Sequence, residues 1–403
     1  GVIGDEFTRT TLQSAFDVEL LDRERWSDQL SNDRQFDLIF VESAWEGNEG
    51  QWSRGIGHYS DEESADLRGL LNLAKELGVP TVFWNKEDPV HFARFAPNAA
   101  LFDHVFTTDA NVIPRYHATP GQVNRTISAL PFYAQPEIHN PLPTDRPFHE
   151  SIAYAGTYYG DRYKERSKGL EMLLEAASRY PLDIYDRQAK NPDSPYKFPL
   201  KYQPSVRGAL PYSEVIKSYR THLVHLNVNS VLNSPTMFSR RVVEIPACGG
   251  LVLSPYGRGI TETLGSNVAC SNRDDDHRAW LYDWTSNPLG RLEEIWRQMR
   301  TIYRSHTTET ALAILARTAG VPVSGLHLAQ YVARLELVDC DATTRDEIIT
   351  ALLSQSRLPL AVLSNTLNDA DRAQIEAAGI RVVDSLEEAE TLSDNLFEVA
   401  FAQ

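Results

Sequence analysis

Two adjacent arginines, a glutamate and a glycine pair concentrate the chemistry of this 403-residue chain in one stretch, HLNVNSVLNSPTMFSRRVVEIPACGGLVLSPYG, residues 225–257. Arg240 and Arg241 carry fork-shaped donors that can neutralise phosphate oxygens. Glu244 follows three and four positions later, on the same helical face. A carboxylate there suits a pair of ribose hydroxyls, so the segment reads as a holder for a nucleotide diphosphate. Ala247, Cys248, Gly249 and Gly250 end the helix in a tight turn before the strand LVLSPYG. The same pattern also describes an amphipathic helix, a glycine cap and a strand of any α/β domain. Asn227 and Asn229 alternate at a strand end and share one face, where they either line a cleft or form a turn. Asn233, Ser234, Pro235, Thr236 and Met237 offer backbone amides to a sugar or a pyrophosphate.

A second loop, GTYYGDRYKERSKG (156–169), lies between a strand and a helix. Gly156 and Tyr158 open it, and Arg162, Lys164, Arg166 and Lys168 add cations where a helix N-terminus already attracts phosphate. It is neither a GxGxxG nor a P-loop, and a solvated basic first turn is the alternative. The first third carries a different set. VESAWEGNEGQW (41–52) follows a buried strand and offers Glu42, Trp45, Glu46 and Trp52 on a glycine-rich loop. Aromatic faces stack on sugar rings and carboxylates grip hydroxyls. Asp5 and Glu6, and the segment NKEDPVHF (85–92), sit at matching strand ends, where α/β sheets place their ligands. Glu42, Asp88 and His91 are the candidate general bases. Asp88 before Pro89 is equally a turn residue, and His91 an ordinary helix start. No metal spacing stands in sound context, and the run Asp274, Asp275, Asp276 reads as solvated surface.

Positioning these residues takes a repeated strand–helix frame. Phe36 to Ser43, Thr81 to Pro89, His104 to Asp109 and Ile127 to Phe132 read as strands or strand ends, and 63–78 as an amphipathic helix closing at Gly78 with Pro80 beyond. Such alternation predicts parallel βαβ units. The proline-rich passage 131–148 reads as a linker. A second α/β series follows through 182–186, 222–228, 250–255 and the helix 292–304. The expected domains are 1–145, 146–334 and an extra α/β segment 335–403 that reads helix, strand, helix, strand. The chain opens on the end of one strand and closes on FEVAFAQ as another, which suggests a piece of a longer polypeptide.

Net charge −16 excludes a general nucleic-acid or anionic-membrane binder but leaves room for a local cationic pocket. Three scattered cysteines form neither a zinc pattern nor a disulfide framework and fit a reducing cytoplasm. No apolar run reaches the roughly 20 residues that span a bilayer, so membrane association would go through partners.

The run SRRVVEIPACGGLVLSPYGRGI (239–260) resembles the donor-binding segment of GT-B glycosyltransferases, in particular the group related to the spore-maturation CgeB proteins with a glycosyl-transferase group 1-like domain. ESAW and WNKEDP resemble the CgeB-like N-terminal pattern. The resemblance implies an α/β fold of two Rossmann-like domains facing across a cleft, acceptor on the first and nucleotide sugar on the second. It implies that Glu244 contacts the donor ribose and that Arg162 and Lys168 hold the diphosphate beside Arg240 and Arg241. The retaining members of the broader group have a second glutamate eight positions earlier; here that position is Thr236. The tail faintly resembles the opening of a family-2 glycosyltransferase domain without its acidic metal motif. The implied activity is metal-independent transfer from a nucleotide diphosphate sugar to a glycan, polymer or protein, in a cell-envelope setting, with no cofactor and no nucleic acid. A catalytically silent carbohydrate- or nucleotide-binding module is the alternative, a nucleotide-sugar epimerase a weaker one, and the oligomeric state stays open.

Overall fold

The computed structural model describes residues 1–14, 16–32, 35–321, 332–338, 340–353, 359, 361–392 and 396–398. The chain forms two compact units, Gly1–Pro322 and Val323–Gln403.

The first unit contains two parallel sheets. In the first, β1 (Val2–Ile3), β2 (Ile39–Glu42), β3 (Thr81–Asn85), β4 (His104–Thr107) and β5 (Thr126–Ala129) lie side by side in chain order. Between them run α1 (Glu6–Gln13), α2 (Trp26–Ser31), α3 (Ala65–Glu76), α4 (Phe92–Ala99) and α5 (Ile113–His117). Every residue of β2 and β3 is buried, as expected of parallel strands covered on both faces. Successive strand residues point to opposite faces. Ile39, Val41, Phe83 and Val105 therefore meet Leu67, Leu70 and Ala74 of α3 and Phe95 of α4 on one side. Phe40, Val82, Trp84 and Phe106 meet Leu130, Phe132, Phe238 and Val242 on the other. Helix α3 presents Leu67, Leu70, Leu71 and Ala74, a stripe at helical spacing. Gly78, at φ +71°, adopts the left-handed conformation that turns the chain out of it.

The second sheet holds β6 (His149–Gly156), β7 (Leu182–Asp186), β8 (Val206–Gly208), β9 (His222–Leu226), β10 (Leu251–Ser254) and β11 (Ala269–Cys270), ordered β11-β10-β9-β6-β7-β8. Its helices are α6 (Lys164–Ala177), α7 (Tyr212–Tyr219), α8 (Arg241–Ala247), α9 (Arg258–Leu264), α10 (Asp274–Ser286), α11 (Pro288–Ser305) and α12 (Thr308–Ala319). The order reverses between β6 and β9, which marks the crevice where doubly wound sheets bind ligands. The proline-rich passage packs onto the core rather than standing free. Tyr133, Ala134 and Gln135 are buried, and the Gln135 amide donates to Thr11 O at 2.7 Å. Ile302 of α11 and Leu315 of α12 join the same core as the first sheet, and Thr308 N donates to Ala134 O at 2.7 Å. The two Rossmann-like halves are thus tied by returning helices as well as by chain continuity.

The second unit carries a small parallel sheet in the order β14-β13-β12-β15, built from β12 (Val332–Arg334), β13 (Ala361–Leu363), β14 (Arg381–Val383) and β15 (Leu396–Glu398). Its helices α13 (Ala342–Leu353), α14 (Asp369–Ala377) and α15 (Leu386–Leu392) alternate with the strands, as the sequence pattern predicts. β12 pairs with β13 and β15, so a division after residue 334 would separate it from its own sheet. Of the strand expected over 397–403, the last five residues lie outside the described residues.

Candidate functional site

A cleft of about 650 Å3 opens between the two sheets of the first unit, at the ends of their strands. Asp5 follows β1, Lys86 and Glu87 follow β3, Gly156 ends β6, Arg187 follows β7, and Asn229 follows β9. All of these line it, with Glu6, Arg166, Met237, Ser239, Arg240, Arg241 and Glu244. The two sides differ in sign. Asp5, Glu6 and Glu87 stand on the first-half wall beside Lys86; Arg166, Arg187, Arg240 and Arg241 stand on the second-half wall.

The arginine wall is under-neutralised. Among the described residues no carboxylate pairs with Arg166, Arg187 or Arg241. Arg166 donates to Thr157 O at 3.0 Å and to the Tyr154 hydroxyl at 3.4 Å. Arg241 donates to the Ser239 hydroxyl at 3.3 Å, its Nε is buried without a partner, and burial pushes its pKa down. A cationic donor in this position favours an anion that replaces lost water. Asn229 adds a fixed donor. Its Oδ1 accepts from Asn227 Nδ2 at 3.2 Å and from Ser239 N at 2.8 Å, which leaves Nδ2 buried and unpartnered.

Glu244 sits beneath Arg240 at 1 % exposure. Its oxygens accept from the hydroxyls of Tyr212, at 3.1 Å, and Tyr219, at 3.3 Å, and lie 3.6 Å from Arg240 Nε. The two tyrosines are seven apart on α7 and share a face. His139 Nδ1 accepts from Gln135 N at 3.0 Å, which assigns the ring proton to Nε2, 3.0 Å from the Tyr212 hydroxyl. Burial lowers the pKa of His139, so it stays neutral and orients a chain from histidine through tyrosine to carboxylate. The Arg240 guanidinium also covers the Phe7 ring at 3.9 Å, a cation–π contact from the second half to the first.

On the acid wall, Glu42 is fully buried and its acceptors are taken. It receives Thr8 Oγ1 at 2.5 Å, the Asp5 amide, and Lys86 Nζ at 3.3 Å. Lys86 also reaches Asp5 at 2.9 Å. Burial works against the Lys86 charge, but Glu42 and Asp5 outweigh it and raise its pKa. Glu87, by contrast, faces the cleft, and burial raises its pKa. A neighbouring cavity of about 560 Å3 continues from Asp5 and Glu6 to Glu46 and Glu49.

The structure thus brings together Asp5, Glu6, Gly156, Asn229, Met237, Arg240, Arg241 and Glu244, and places Glu46 next door. Other expected site residues lie elsewhere. Trp52 is core: its indole N–H donates to Leu21 O at 2.7 Å because the preceding loop folds inward at Gly47, φ +52°. A Cβ on Gly47 would meet Ile56 Cδ1 at 2.9 Å. Trp45 stays exposed, against the rings of His91 and Phe95 at 4.9 and 5.2 Å, outside both cavities. Lys168 and Arg162 project from α6 and the turn before it into solvent, Arg162 toward the Tyr196 hydroxyl at 2.7 Å. Tyr158 is engaged by Glu171. Asn227 lies under Asn229, bonded to Ser254 at 3.1 Å.

None of the three expected bases lines the cleft. Glu42 is spent as described, and His91 precedes α4. Asp88 is buried behind the wall, accepting from Asn85 at 3.0 Å, Thr107 at 2.6 Å and Tyr116 at 2.8 Å; burial raises its pKa to about 6. Thr236 turns its hydroxyl to the first half instead of the cleft. Glu87 and Arg187 are cleft residues not singled out in the sequence, and Arg166, named there among the cations of the 156–169 loop, takes the place expected of Arg162 and Lys168. Each had a signal, since Glu87 and Arg187 follow strand ends and Arg166 shares a helical face with Leu170, Leu173 and Leu174.

Among solved structures, the chain is similar to a Burkholderia xenovorans α,α-trehalose-phosphate synthase (UDP-forming) in complex with glucose-6-phosphate, at 12 % identity and TM-score 0.46, covering 74 % of this chain and 75 % of that one. It is similar to a glycosyltransferase from Rickettsia africae, at 12 % identity and TM-score 0.47, covering 70 % and 89 %. HepE of Anabaena in complex with UDP and glucose gives 12 % identity and TM-score 0.43, covering 71 % and 78 %. No curated protein matches the chain. Residues 164–316, which hold all four arginines of the wall together with Asn229 and Glu244, match the family model described as Glycosyl transferase-like. The similarity to the glycosyl transferase-like family thus falls on the second Rossmann-like half of the chain.

Proposed function

We propose that the protein transfers a sugar from a nucleotide diphosphate sugar to a hydroxyl acceptor without a metal ion. The carrying observation is the wall of four guanidinium groups at the switch point of the second sheet, three of them without a carboxylate partner among the described residues. As the glycosidic bond breaks, negative charge gathers on the leaving diphosphate. Arg166, Arg187, Arg240 and Arg241 supply fixed positive charge there, strongest when water is excluded. The free Asn229 amide donates to a diphosphate or sugar oxygen. Glu244, held by Tyr212 and Tyr219, fixes Arg240 and accepts from the ribose. On the opposite wall, Asp5, Glu6 and Glu87 grip acceptor hydroxyls, with Glu87 as the base that replaces the three expected from sequence. An extended glycan or polymer acceptor continues past Asp5 and Glu6 to Glu46.

A thermal-shift panel of nucleoside diphosphates and nucleotide sugars, with and without EDTA, tests this directly. A shift that survives EDTA and disappears in Arg241→Ala is expected. A shift that needs a divalent cation would overturn metal independence, and no shift with any nucleotide would overturn the donor site. One observation favours a second reading. Glu42, Asp88 and His91 all stand away from the cleft, as in a module that binds nucleotide or glycan without transfer. Binding of donor with no transfer to any acceptor, and no loss on Glu87→Gln, would select it.

A further inference from the structure

Thr236 occupies the position where the resemblance sets a glutamate, in the loop 227–240 that feeds Arg240 and Arg241 into the cleft. Its hydroxyl is used by the other half of the molecule. Thr236 Oγ1 donates to Thr108 O at 2.8 Å and accepts from Ala110 N at 2.9 Å. A third bond, from Asn111 Nδ2 to Asn233 O at 3.2 Å, joins the same two loops. Within its own loop, Ser234 Oγ accepts from the amides of Thr236, at 3.3 Å, and Met237, at 2.9 Å, so the tie at Thr236 reaches the first residue of the run 237–241 that lines the cleft.

The receiving turn is itself rigid. Thr108 N donates to Asn85 O at 3.1 Å, Asp109 N to Thr107 Oγ1 at 3.1 Å, and the Asp109 carboxylate accepts from Asn111 N at 3.0 Å. Thr107 Oγ1 is anchored in turn on Asp88 at 2.6 Å. A path of hydrogen bonds thus runs from the strand ends of the first sheet, through 107–111, to Thr236 and, by way of Ser234, to Met237, from which the chain itself leads on to Arg240 and Arg241.

We infer that Thr236 is a positioning residue, a latch that fixes the donor-side loop against the acceptor half and so holds Arg240 and Arg241 in register with the acid wall. The inference rests on the proposed transferase reading. It differs from a direct contact with the sugar, because the side chain faces away from the cleft. With the latch made, a bound donor meets the acceptor wall in one geometry. With it broken, the loop and its arginines lose their reference to that wall, and water competes with the acceptor.

The test compares Thr236→Val, which keeps the shape and removes both bonds, with Thr236→Ser, which keeps the hydroxyl. Hydrogen exchange needs no substrate, since the Ala110 amide loses its acceptor in Thr236→Val and should exchange faster, with the wild-type rate restored in Thr236→Ser. In steady state, Thr236→Val should raise the donor KM by about tenfold and increase the share of donor lost to hydrolysis, while Thr236→Ser stays within about twofold of wild type. Asn111→Ala should move the same readouts in the same direction by less, and serves if Thr236→Val does not fold. Equal loss in Val and Ser variants, or unchanged exchange at Ala110 with unchanged donor KM, overturns the latch. If the wild-type protein binds no nucleotide while Ala110 exchange still responds to Thr236→Val, the transferase reading fails and the latch stands.

Discussion

The two walls of the cleft handle charge in opposite ways. On the acid wall, Glu42 and Asp5 share Lys86, a set in which every member has a partner of opposite charge. On the arginine wall, three of four guanidinium groups have only neutral partners or none. A buried ion pair is costly to build and leaves little free attraction for a ligand. A cation withdrawn from water without a counter-charge, as at Arg166 and at the Nε of Arg241, is costly until an anion arrives, while Arg187 stays exposed to solvent. The one cation of the first wall is therefore satisfied without a ligand, whereas the unpaired cations of the second are not. Under the proposed reading, the contrast favours the second half for the diphosphate where a count of positive residues would not, for Lys86 is cationic too and is already satisfied.

The strongest way to break this contrast is Arg241→Ala. Arg241 has an unpartnered Nε and no carboxylate, so its removal leaves no buried acid uncompensated. Turnover should fall by about a thousandfold, as for loss of a preorganised donor to a developing anion, while the melting temperature changes little. Lys86→Ala should do the reverse, lowering the melting temperature by exposing Glu42 and Asp5 to each other. If Lys86→Ala abolished nucleotide binding and Arg241→Ala did not, the walls would be misassigned.

A smaller effect separates the walls by pH. Asp88 supports the acid wall from behind, and burial raises its pKa from 3.8 to about 6. Because the folded-state value is the higher one, folding takes up a proton between these two values. The stabilisation is complete below pH 3.8 and is lost as the pH rises through 6. The full swing is about 3 kcal/mol. Urea unfolding of wild type and Asp88→Asn across this range should therefore give profiles that diverge, with the wild type losing ground relative to the variant as pH rises. Parallel profiles would place the aspartate outside the titrating set.

Much of the arrangement is visible in the sequence. Alternating strands and helices give the two sheets, and the pairing of Arg240 with Glu244 across one helical turn survives in the structure, whereas Arg241 turns to Ser239 instead of the carboxylate. The sequence does not show where long-range bonds fall. Thr236 meets Thr108 and Ala110 across well over a hundred residues, and no local pattern encodes that meeting. Trp52 misleads for a related reason. Its loop contains residues at positive φ from Gly47 to Gly50 and at Arg54, and these carry the indole inward where a regular loop would leave it on the surface. Glu42 misleads because a strand-end carboxylate reads as a free base until its partners, 34 to 44 residues away, are known.

Glu87 sharpens the contrast from the acceptor side. Its burial raises its pKa, and a base must be ionised to accept a proton. Transfer should therefore fall as the pH drops through that raised value, and Glu87→Gln should lose about a hundredfold in turnover together with this acidic limb. Donor binding should be untouched. A pH profile in Glu87→Gln that keeps the limb would assign it to another group.

The finest test lies on one helix. Arg166 and Lys168 are two apart on α6, so they point about 200° apart around its axis. Arg166 shares the face of Leu170, Leu173, Leu174 and Ala177, all buried, and reaches the cleft along it. Lys168 lies on the exposed face. Family resemblance favours the lysine, whereas helical periodicity favours the arginine. Arg166→Ala should weaken nucleotide diphosphate binding by about tenfold or more, because its guanidinium also holds Thr157 O at the mouth of the site. Lys168→Ala should stay within about twofold, since an exposed ammonium at the rim acts on a bound diphosphate only through screened attraction. Titrations of both variants at low and high salt separate the two cases. The small Lys168 effect should vanish with salt and the Arg166 effect should not, and the opposite ranking would mean that α6 turns its other face to the ligand when the donor is bound.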